Sequence, residues 1–393
     1  MSEWKKVKLG DICERVTSGG TPKANVTSYY NPPTIPWLNT KEINYCRITE
    51  TDNYISEEGL NNSSAKWIAQ DSIIIAMYGN TAGKVAINKI PLTTNQACCN
   101  LTIDESKADY EFIYYQLCTL YNKMVSLKIG AAQLNLNAQI IKNLDILLPT
   151  LAIQHNIATI LSRYDSLIEN FQKQIKLLEE AAQRLYKEWF VDLHFPGHEN
   201  TKIVDGVPEG WEKKRLVDLV DVQYGYAFDG KLFNNYREGM PILRIRNIPD
   251  GVTSDYTSEE ASEDYIVHNG DIVVGMDGIF HINSWSGGDA YLVQRACSFR
   301  PMKEELKGFI FQAIQEPIKY FEKTLVGATV AHLGKKHIDS IDLLYPNNEK
   351  LFVPLQKIFD KRQLALSQIR LLTEARDRLL PKLMSGEIQI KNI

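Results

Sequence analysis

The chain has 393 residues, of which 44% are hydrophobic and 23% charged, so it is long enough for two or more domains with separate cores. The longest apolar runs, such as Ile73–Met77, have the length of a strand, which argues against a membrane-spanning segment. A net charge of −4 and a pI near 6.0 argue against nonspecific coating of nucleic acid, while allowing a local basic surface.

The first residues, Met1–Lys5, lack the apolar core of a signal peptide, and a cytoplasmic location is therefore expected. Six cysteines are scattered along the chain, and none belongs to a Cys-x-x-Cys pair. The adjacent Cys98 and Cys99 suit neither a zinc site nor an easily formed disulfide. We therefore expect reduced core thiols and no metal site.

The tetrapeptide Asn31–Thr34 begins with Asn-Pro-Pro, which amino-methyltransferases acting on DNA bases use, followed there by an aromatic residue, to hold a flipped base. Here the fourth residue is Thr34, which cannot stack, and no Gly-rich turn for S-adenosylmethionine precedes it. The competing interpretation is a Pro-rich loop before a strand over Ile35–Leu38, since proline favours extended neighbours.

The sequence is a tandem duplication, because seven segments recur in the same order at an offset of roughly 200 residues. The paired segments are Trp4–Asp11 with Trp211–Asp218, Ile35–Ile43 with Met240–Ile248, Tyr54–Gly59 with Tyr256–Ala261, Ile73–Gly79 with Ile272–Gly278, Asn95–Cys99 with Gln294–Ser298, Gly130–Pro149 with Gly327–Pro346, and Leu177–Leu185 with Leu371–Leu379.

Each half begins with β-rich runs, and the first half also has a short helical pattern around Tyr110–Val125. Each half then ends in a long apolar seam with steps of three and four residues, which is typical of a coiled coil. The first seam is Ile157, Leu161, Tyr164, Ile168, Phe171, Ile175, Leu178, Ala182, Leu185 and Trp189. The second is Leu355, Ile358, Arg362, Ala365, Ile369, Leu372, Arg376, Leu379 and Leu383, and its two arginines weaken it.

An ordinary amphipathic core helix is the alternative for each seam. A length of about 50 Å argues against it, because such a helix needs a partner along its whole seam. The simplest partner is the other helix in antiparallel orientation, with the two globular domains at opposite ends. The predicted fold is therefore α+β: two mixed α/β domains, each followed by a long helix. The predicted segments are a first domain (1–152), a first helix (153–192), a linker (193–210), a second domain (211–350) and a second helix (351–393).

Several polar residues stand at equivalent positions of the two halves but differ in chemistry. Arg244 and Arg246 alternate with apolar residues, which predicts a strand with both arginines on one face. Arginine reads guanine and asparagine reads adenine through paired hydrogen bonds, although a solvated strand face is the alternative. The divergent pairs are Asn39 with Arg244, Lys41 with Arg246, Gln96 with Arg295, and Asn135 with His332.

Two further segments carry basic residues. The spacing in Tyr78–Lys84 differs from that of a P-loop, so we expect a hairpin that presents Tyr78, Asn80 and Lys84. Lys335, Lys336 and His337 suit either a phosphate contact or a charged helix start.

The chain resembles the specificity subunit of type I restriction–modification systems. The resemblance rests on Ser18–Lys23, Ile35–Ile43, Val207–Val220 and the Gly130–Gln154 box, and it covers essentially the whole chain. It implies two target-recognition domains that each read half of a split, asymmetric site in double-stranded DNA. It also implies that an antiparallel coiled coil spaces these domains. The second box departs from the family pattern, because Asn347–Phe352 replaces its compact ending.

The resemblance further implies a non-catalytic chain on which two methyltransferase subunits dock, with restriction and translocation subunits joining them. S-adenosylmethionine, ATP and magnesium are then expected on those partners, with no cofactor on this chain. Two alternatives remain: a stand-alone methyltransferase or nuclease with its own recognition domains, and a coiled-coil adaptor that binds no DNA.

The candidate DNA contacts are Lys23, Asn39, Lys41, Tyr78, Asn80, Lys84, Gln96, Asn135, Arg244, Arg246, Asn247, Arg295, His332, Lys335 and Lys336. The candidate coiled-coil interface is Ile157, Leu161, Ile168, Phe171, Ile175, Leu178, Leu185, Ile358, Ile369, Leu372 and Leu379.

Overall fold

A computed structural model of the protein describes residues 4–128, 135–325 and 331–389. The first residues of the two repeated boxes, 130–134 and 327–330, lie outside this range. The chain forms two compact units: the first is Met1–Ser166 with Glu374–Ile393, and the second is Leu167–Thr373. The boundaries fall inside the two long helices, so each unit contains one β-rich domain and a part of both helices.

The first unit contains a five-stranded sheet of order β2-β10-β7-β8-β4, a four-stranded sheet of order β5-β3-β9-β6, and the pair β1-β11. The strands are β1 (Lys5–Lys8), β2 (Cys13–Ser18), β3 (Ile35–Leu38), β4 (Cys46–Ile48), β5 (Tyr54–Ile55), β6 (Trp67–Ile68), β7 (Ile73–Ala76), β8 (Val85–Asn88), β9 (Leu92–Thr94), β10 (Cys98–Ile103) and β11 (Asp145–Leu148). Most neighbouring strands are antiparallel, whereas β3 with β9 and β4 with β8 are parallel.

Strand β7 explains why this unit has a layered core. Ile73 and Ile75 point into one apolar cluster, while Ile74 and Ala76 point into another. Because side chains alternate across a strand, an unbroken apolar run suits a strand that is covered on both faces.

The short helices of the first unit, except the third, begin at a side chain that caps a free N–H group. They are α1 (Glu57–Asn61), α2 (Tyr110–Thr119), α3 (Tyr121–Ser126) and α4 (Ala138–Lys142). Asp109 accepts the backbone N–H of Phe112 at 2.8 Å and so caps α2. The single helix predicted around Tyr110–Val125 is therefore two helices. They separate at Leu120, where the Thr119 hydroxyl bonds back to the Gln116 carbonyl at 2.7 Å.

The second unit repeats this arrangement with sheets of order β15-β23-β20-β21 and β16-β18-β17-β22-β19, and the pair β14-β24. Its strands are β12 (Ile203–Val204), β13 (Val207–Pro208), β14 (Trp211–Arg215), β15 (Val220–Tyr224), β16 (Phe233–Asn234), β17 (Met240–Leu243), β18 (Tyr256–Thr257), β19 (Ile266–Val267), β20 (Ile272–Gly275), β21 (Ile282–Ser284), β22 (Ala290–Leu292), β23 (Ala296–Pro301) and β24 (Asp342–Pro346). Besides the long helices it contains α6 (Lys307–Ala313), α7 (Gln315–Thr324) and α8 (Lys335–Ile338).

The segment predicted as a linker, residues 193–210, has structure of its own. Strands β12 and β13 form a small hairpin within it. Phe195 is buried, and its ring lies 4.8 Å from that of Trp211, centroid to centroid. The segment is therefore held against the second unit by an aromatic contact that its polar composition does not indicate.

The two long helices are α5 (Leu151–Tyr186), which continues as a π-helical turn over Lys187–Val191, and α9 (Val353–Met384). Every residue of the two predicted seams is buried or partly buried. By contrast, Leu177 and Leu364, which lie beside the seams, are 65% and 62% exposed.

Within each unit the helices run antiparallel. In the first unit, Asp165 pairs with Arg376, while Ile157 and Leu161 share a core with Leu383. Residue numbers thus rise along one helix as they fall along the other. The second unit has the same direction: Glu179 pairs with Arg362, and Ala182 shares a core with Leu355 and Phe359.

No helix among the described residues is long and apolar enough to cross a membrane. In the same part of the chain, no group of three or more His, Cys, Asp or Glu side chains could hold a metal ion. The six cysteines are free thiols, and burial raises the pKa of Cys99 to about 12.

Candidate functional site

The second domain turns sharply where β17 ends. Ile245–Asn247 form one turn of 3-10 helix directly after Arg244. The side-chain oxygen of Asn247 accepts the backbone N–H of Arg244 at 2.9 Å, and the N–H of Asn247 donates to the Arg244 carbonyl at 2.8 Å. Such local bonds compete with a strand ladder. The expectation that Arg244 and Arg246 alternate along one strand is therefore wrong.

The first domain makes the same turn after β3. There, Oε1 of Glu42 accepts the backbone N–H of Asn39 at 2.9 Å. Asn39 and Arg244 thus occupy equivalent positions, in agreement with the repeat. Lys41 lies exposed within the turn, beyond the end of β3.

The two arginines of the second turn have different partners. Arg246 donates to both carboxylate oxygens of Asp255, at distances between 2.6 and 3.1 Å. The guanidinium of Arg244 lies over the ring of Phe233, 5.3 Å from its centroid. In residues 4–128, 135–325 and 331–389, no carboxylate forms an ion pair with Arg244, which leaves its hydrogen-bonding edge available for a ligand.

Each domain presents a loop between two antiparallel central strands, as predicted for Tyr78–Lys84. Gly79 and Gly278 occupy equivalent places in these loops, with φ of +76° and +70°. A side chain would be strained in this left-handed conformation, which explains the glycine at both places. The next residue is Asn80 in the first domain and Ile279 in the second, and both are exposed.

In the first domain the loop rests on the turn after β3. The Thr81 hydroxyl donates to the Thr40 carbonyl at 2.8 Å. Lys84 donates to Oδ1 of Asn44 at 2.7 Å, and its ammonium lies 5.9 Å from the Tyr45 ring centroid. Lys84 therefore braces the loop, whereas Tyr78 and Asn80 extend into solvent.

The sheet register changes one of the predicted equivalences. Thr94 pairs with Leu38 and Leu292 pairs with Leu243, and the last residues of β3 and β17 are equivalent. Counting two residues onward places Gln294 opposite Gln96. The predicted match of Gln96 with Arg295 is therefore off by one. The reason is that the second domain has one residue fewer between β20 and β22 than the first domain has between β7 and β9. Gln96 is exposed and accepts a bond from the Thr21 hydroxyl.

Arg295 and His332 share one carboxylate. Oδ2 of Asp277 accepts from Arg295 at 2.9 Å, and Oδ1 lies 2.6 Å from Nδ1 of His332. Asn135 occupies the place of His332, because the next residue in each domain donates its N–H to the carbonyl of Met77 or Met276. The repeat's pairing of Asn135 with His332 therefore agrees with the geometry.

Arg244, Arg246 and Arg295 of the second domain line a cleft of about 670 Å³. Its floor and walls combine aromatic and aliphatic groups with three arginines and an amide. The lining residues are Phe228, Gly230, Phe233, Arg244, Ile245, Arg246, Ile279, His281, Val293, Gln294 and Arg295. A cleft that combines apolar side chains with guanidinium and amide groups suits the edge of a nucleobase.

Other predicted contacts lie outside this cleft. Lys23 is exposed in the loop after β2. Lys335 and Lys336 are exposed at the start of the short helix α8. Next to them, Nδ1 of His337 accepts the Gly334 N–H at 3.0 Å, and burial, with Lys336 and His332 nearby, lowers the pKa of His337. A charged helix start describes this geometry, and phosphate contact stays a prediction.

The tetrapeptide Asn31–Thr34 lies in an exposed loop that leads directly into β3. This arrangement agrees with the interpretation as a Pro-rich loop before a strand.

A buried ion cluster fixes the first domain to the helices of its own unit. Asp165 on α5 accepts from Arg47 of β4 at 2.8 Å and from Arg376 of α9 at 2.6 Å, and from the Tyr115 hydroxyl. Burial disfavours the charged carboxylate, but bonds from Tyr115, Arg47 and Arg376 outweigh it and lower the pKa of Asp165.

Arg362 has the corresponding role in the second unit. It donates to Glu179 of α5 at 2.7 Å, to Oδ1 of Asn283 at 2.8 Å and to the Ser284 hydroxyl. Asn283 and Ser284 belong to β21, which carries the far side of the loop that presents Ile279. Of the two arginines that weaken the second seam, Arg362 thus bonds a domain directly. Arg376 bonds Asp165, which Arg47 of the first domain also bonds.

Comparison with known families decides the kind of protein. The model for the type I restriction modification DNA specificity domain matches residues 1–180 and 208–375. The chain belongs to this family. A specificity subunit supplies the DNA-sequence recognition of a type I restriction–modification system, and this chain is such a subunit.

Individual relatives match either the whole chain or about half of it. It is 28% identical to the type I restriction enzyme MjaIX specificity subunit of Methanocaldococcus jannaschii, covering 100% of this chain and 95% of the relative. It is 28% identical to the EcoBI specificity subunit of Escherichia coli over 46% of this chain and 40% of that one. The S subunit of the type I system from M. genitalium has the same fold, with a TM-score of 0.59, 18% identity, and coverage of 97% and 96%.

Sequence reasoning missed part of the specificity subunit's cleft, namely Phe228, Phe233, Ile279, His281 and Gln294. A signal existed for Ile279, because extending the repeated segment Ile73–Gly79 by one residue places Ile279 opposite Asn80. The sequence carried no such signal for Phe228 and Phe233, because they lie in a segment that the repeated pairs do not cover.

Proposed function

We propose that each domain reads one block of a split, asymmetric site in double-stranded DNA, and that the long helices set the unread spacer between the blocks. The observation that carries this proposal is a shared scaffold with unlike reading groups. The turn after β3 carries Asn39, whose Oδ1 accepts a bond from Asn95, and the turn after β17 carries Arg244. The hairpin loops present Asn80 in the first domain and Ile279 in the second. An amide and a guanidinium select different base edges, so the two blocks should differ in sequence.

A domain exchange tests this division. Replacing Trp211–Pro346 by the matching domain of a relative should change one block of the methylated site and leave the other intact, since distant sites act additively. Methylome sequencing of the exchange strain gives the result. A change in both blocks, or a site without a spacer, would contradict separate reading.

We also propose that the chain is not itself an enzyme. Two methyltransferase subunits would dock on it and carry S-adenosylmethionine, and restriction subunits with ATP and magnesium would join them in the cytoplasm. The exposed loop position of Asn31 supports this assignment, because a base-holding group needs an enclosed pocket.

Labelled S-adenosylmethionine separates this proposal from a stand-alone methyltransferase. The purified chain alone should transfer no label to DNA, whereas the assembled complex should. Asn31→Ala in the complex should retain nearly full activity. Label transfer by the chain alone, or a large loss with Asn31→Ala, would favour the stand-alone enzyme.

A further inference from the structure

We propose that Ile279 is a specificity-determining residue that reads a thymine through its 5-methyl group in the major groove. The inference rests on the proposed function and adds to it the base and the contact. Ile279 is 61% exposed, and it lines a cleft together with the polar side chains of Arg244, Arg246, His281, Gln294 and Arg295. A large aliphatic side chain with this exposure gains little burial from the fold itself, and a ligand in the cleft would cover it.

The backbone holds Ile279 in this position. The N–H of Gly278 donates to the Ala331 carbonyl at 3.0 Å, and the N–H of His281 donates to the Ile279 carbonyl at 3.0 Å. Between them, Phe280 is buried, and its N–H donates to Oε2 of Glu322 at 2.7 Å. The exposed side chain is therefore presented by an anchored loop, so a contact orders few additional groups.

The shape of the side chain suits this use. Isoleucine is branched at Cβ and has few rotamers, so its methyl groups keep nearly fixed positions above the loop. In the major groove, thymine differs from cytosine by an exposed methyl group and by an acceptor in place of an amino donor. An aliphatic group beside guanidinium and amide donors can contact the methyl while a neighbour donates to the thymine oxygen.

The first domain supplies the contrast. Asn80 occupies the equivalent place on an equivalent loop, and it too is exposed. An asparagine side chain can make paired bonds to adenine, whereas an isoleucine can make none. The same loop position therefore distinguishes the two domains by polarity, and we assign it a reading role in both.

The test combines two changes: the thymine methyl group is removed from the DNA, and the Ile279 side chain is removed from the protein. The recognised site is first determined by methylome sequencing. Each thymine of the second block is then replaced in turn by deoxyuridine, which lacks only the methyl. Affinity is measured for the chain assembled with its methyltransferase subunits. One replacement should weaken binding about fourfold, the ratio that corresponds to one buried methyl group.

Ile279→Ala should weaken binding to thymine DNA by a similar ratio and remove the sensitivity to deoxyuridine at that position alone. Ile203→Ala, an exposed isoleucine of the β12–β13 hairpin, is the matched control and should retain the wild-type pattern. Melting curves of both variants should match the wild type, because neither side chain is buried.

Four results would overturn the inference: a second block without thymine, no sensitivity to deoxyuridine, unchanged binding by Ile279→Ala, or equal weakening on every sequence together with loss of DNA bending. The last would identify Ile279 as a wedge between base pairs. Failure of the proposed function looks different, because the assembled wild-type complex would then show no split site at all.

Discussion

The three arginines that line the cleft of the second domain differ in the partners that their guanidinium groups already have. Asp255 engages Arg246 and Asp277 engages Arg295. Arg244 stacks on Phe233 and has no ion pair with a carboxylate in the part of the chain that the structure describes. A guanidinium that already bonds a carboxylate has fewer donors for a base, whereas one held by its face keeps its edge free. Arg244 is therefore the strongest candidate for reading guanine, and Arg246 and Arg295 are suited to supporting contacts.

Substituting Arg244 tests this ranking. Arg244→Gln should reduce discrimination at one base pair of the second block by about 1–3 kcal/mol, because a bidentate contact to guanine is lost. Competition binding with each single-base variant of the site measures it. Arg184→Gln, at an 84% exposed arginine of α5, should change no position. Equal discrimination by Arg244→Gln and wild type would exclude the guanine contact.

At the scale of elements, the buried carboxylate of Asp165 connects two helices and a strand. Asp165→Asn leaves the guanidinium groups of Arg47 and Arg376 without their common counter-charge, which should destabilise the chain by about 3–5 kcal/mol. Denaturant unfolding measures the loss. Glu180→Gln removes only an exposed pair with Arg184 at 3.9 Å and should cost less than about 0.5 kcal/mol. Similar losses of unfolding free energy in both variants would show that the buried cluster contributes no more to stability than an exposed ion pair.

The lowered pKa of Asp165 also determines how its contribution to stability changes with pH. A carboxyl whose pKa is lower in the folded state stabilises the fold above its ordinary pKa of about 3.9, and the effect fades as pH falls through the folded value. The stability difference between wild type and Asp165→Asn should therefore be constant near neutrality and shrink only in acid. A difference that grows on acidification would contradict the assigned charge state.

The elements also show what the sequence could reveal. The seams predicted both long helices because a helix buried along one face needs apolar residues at steps of three and four. The alternation around Arg244 and Arg246 predicts a strand, but over eight residues this signal is weak. The bond from the Arg244 N–H to the side-chain oxygen of Asn247 overrides it. The partners Asp255 and Asp277 could not be inferred, because they lie 9 residues from Arg246 and 18 residues from Arg295, and no helix or strand periodicity relates residues at those separations.

For the whole molecule, the proposed spacer role makes helix length a determinant of the DNA site. Facing residues on the helices, such as Glu179 and Arg362, allow a seven-residue insertion to be placed at matching points: after Gln172 in α5 and after Gln368 in α9. A full heptad keeps the seam in phase and lengthens each helix by about 10.5 Å.

The heptad variant should methylate the same two blocks with a spacer longer by about three base pairs, given about 3.4 Å per base pair. Methylome sequencing reads this directly. A three-residue insertion at the same points is the control, because it rotates the seam out of register and should abolish assembly. An unchanged spacer in the heptad variant would show that helix length does not determine the distance between the two blocks of the DNA site.

The interleaved composition of the first unit has a consequence for synthesis. Leu383 and Met384 complete the core that contains Leu9 and Ile73, so the part of the chain made first needs residues that are made last. The second unit is encoded entirely between those two parts. At about 5–20 residues per second, the first domain waits on the ribosome for roughly 10–50 s before its final helix arrives. During that interval its apolar surface is open, which makes the nascent chain a client for chaperones and a target for proteases.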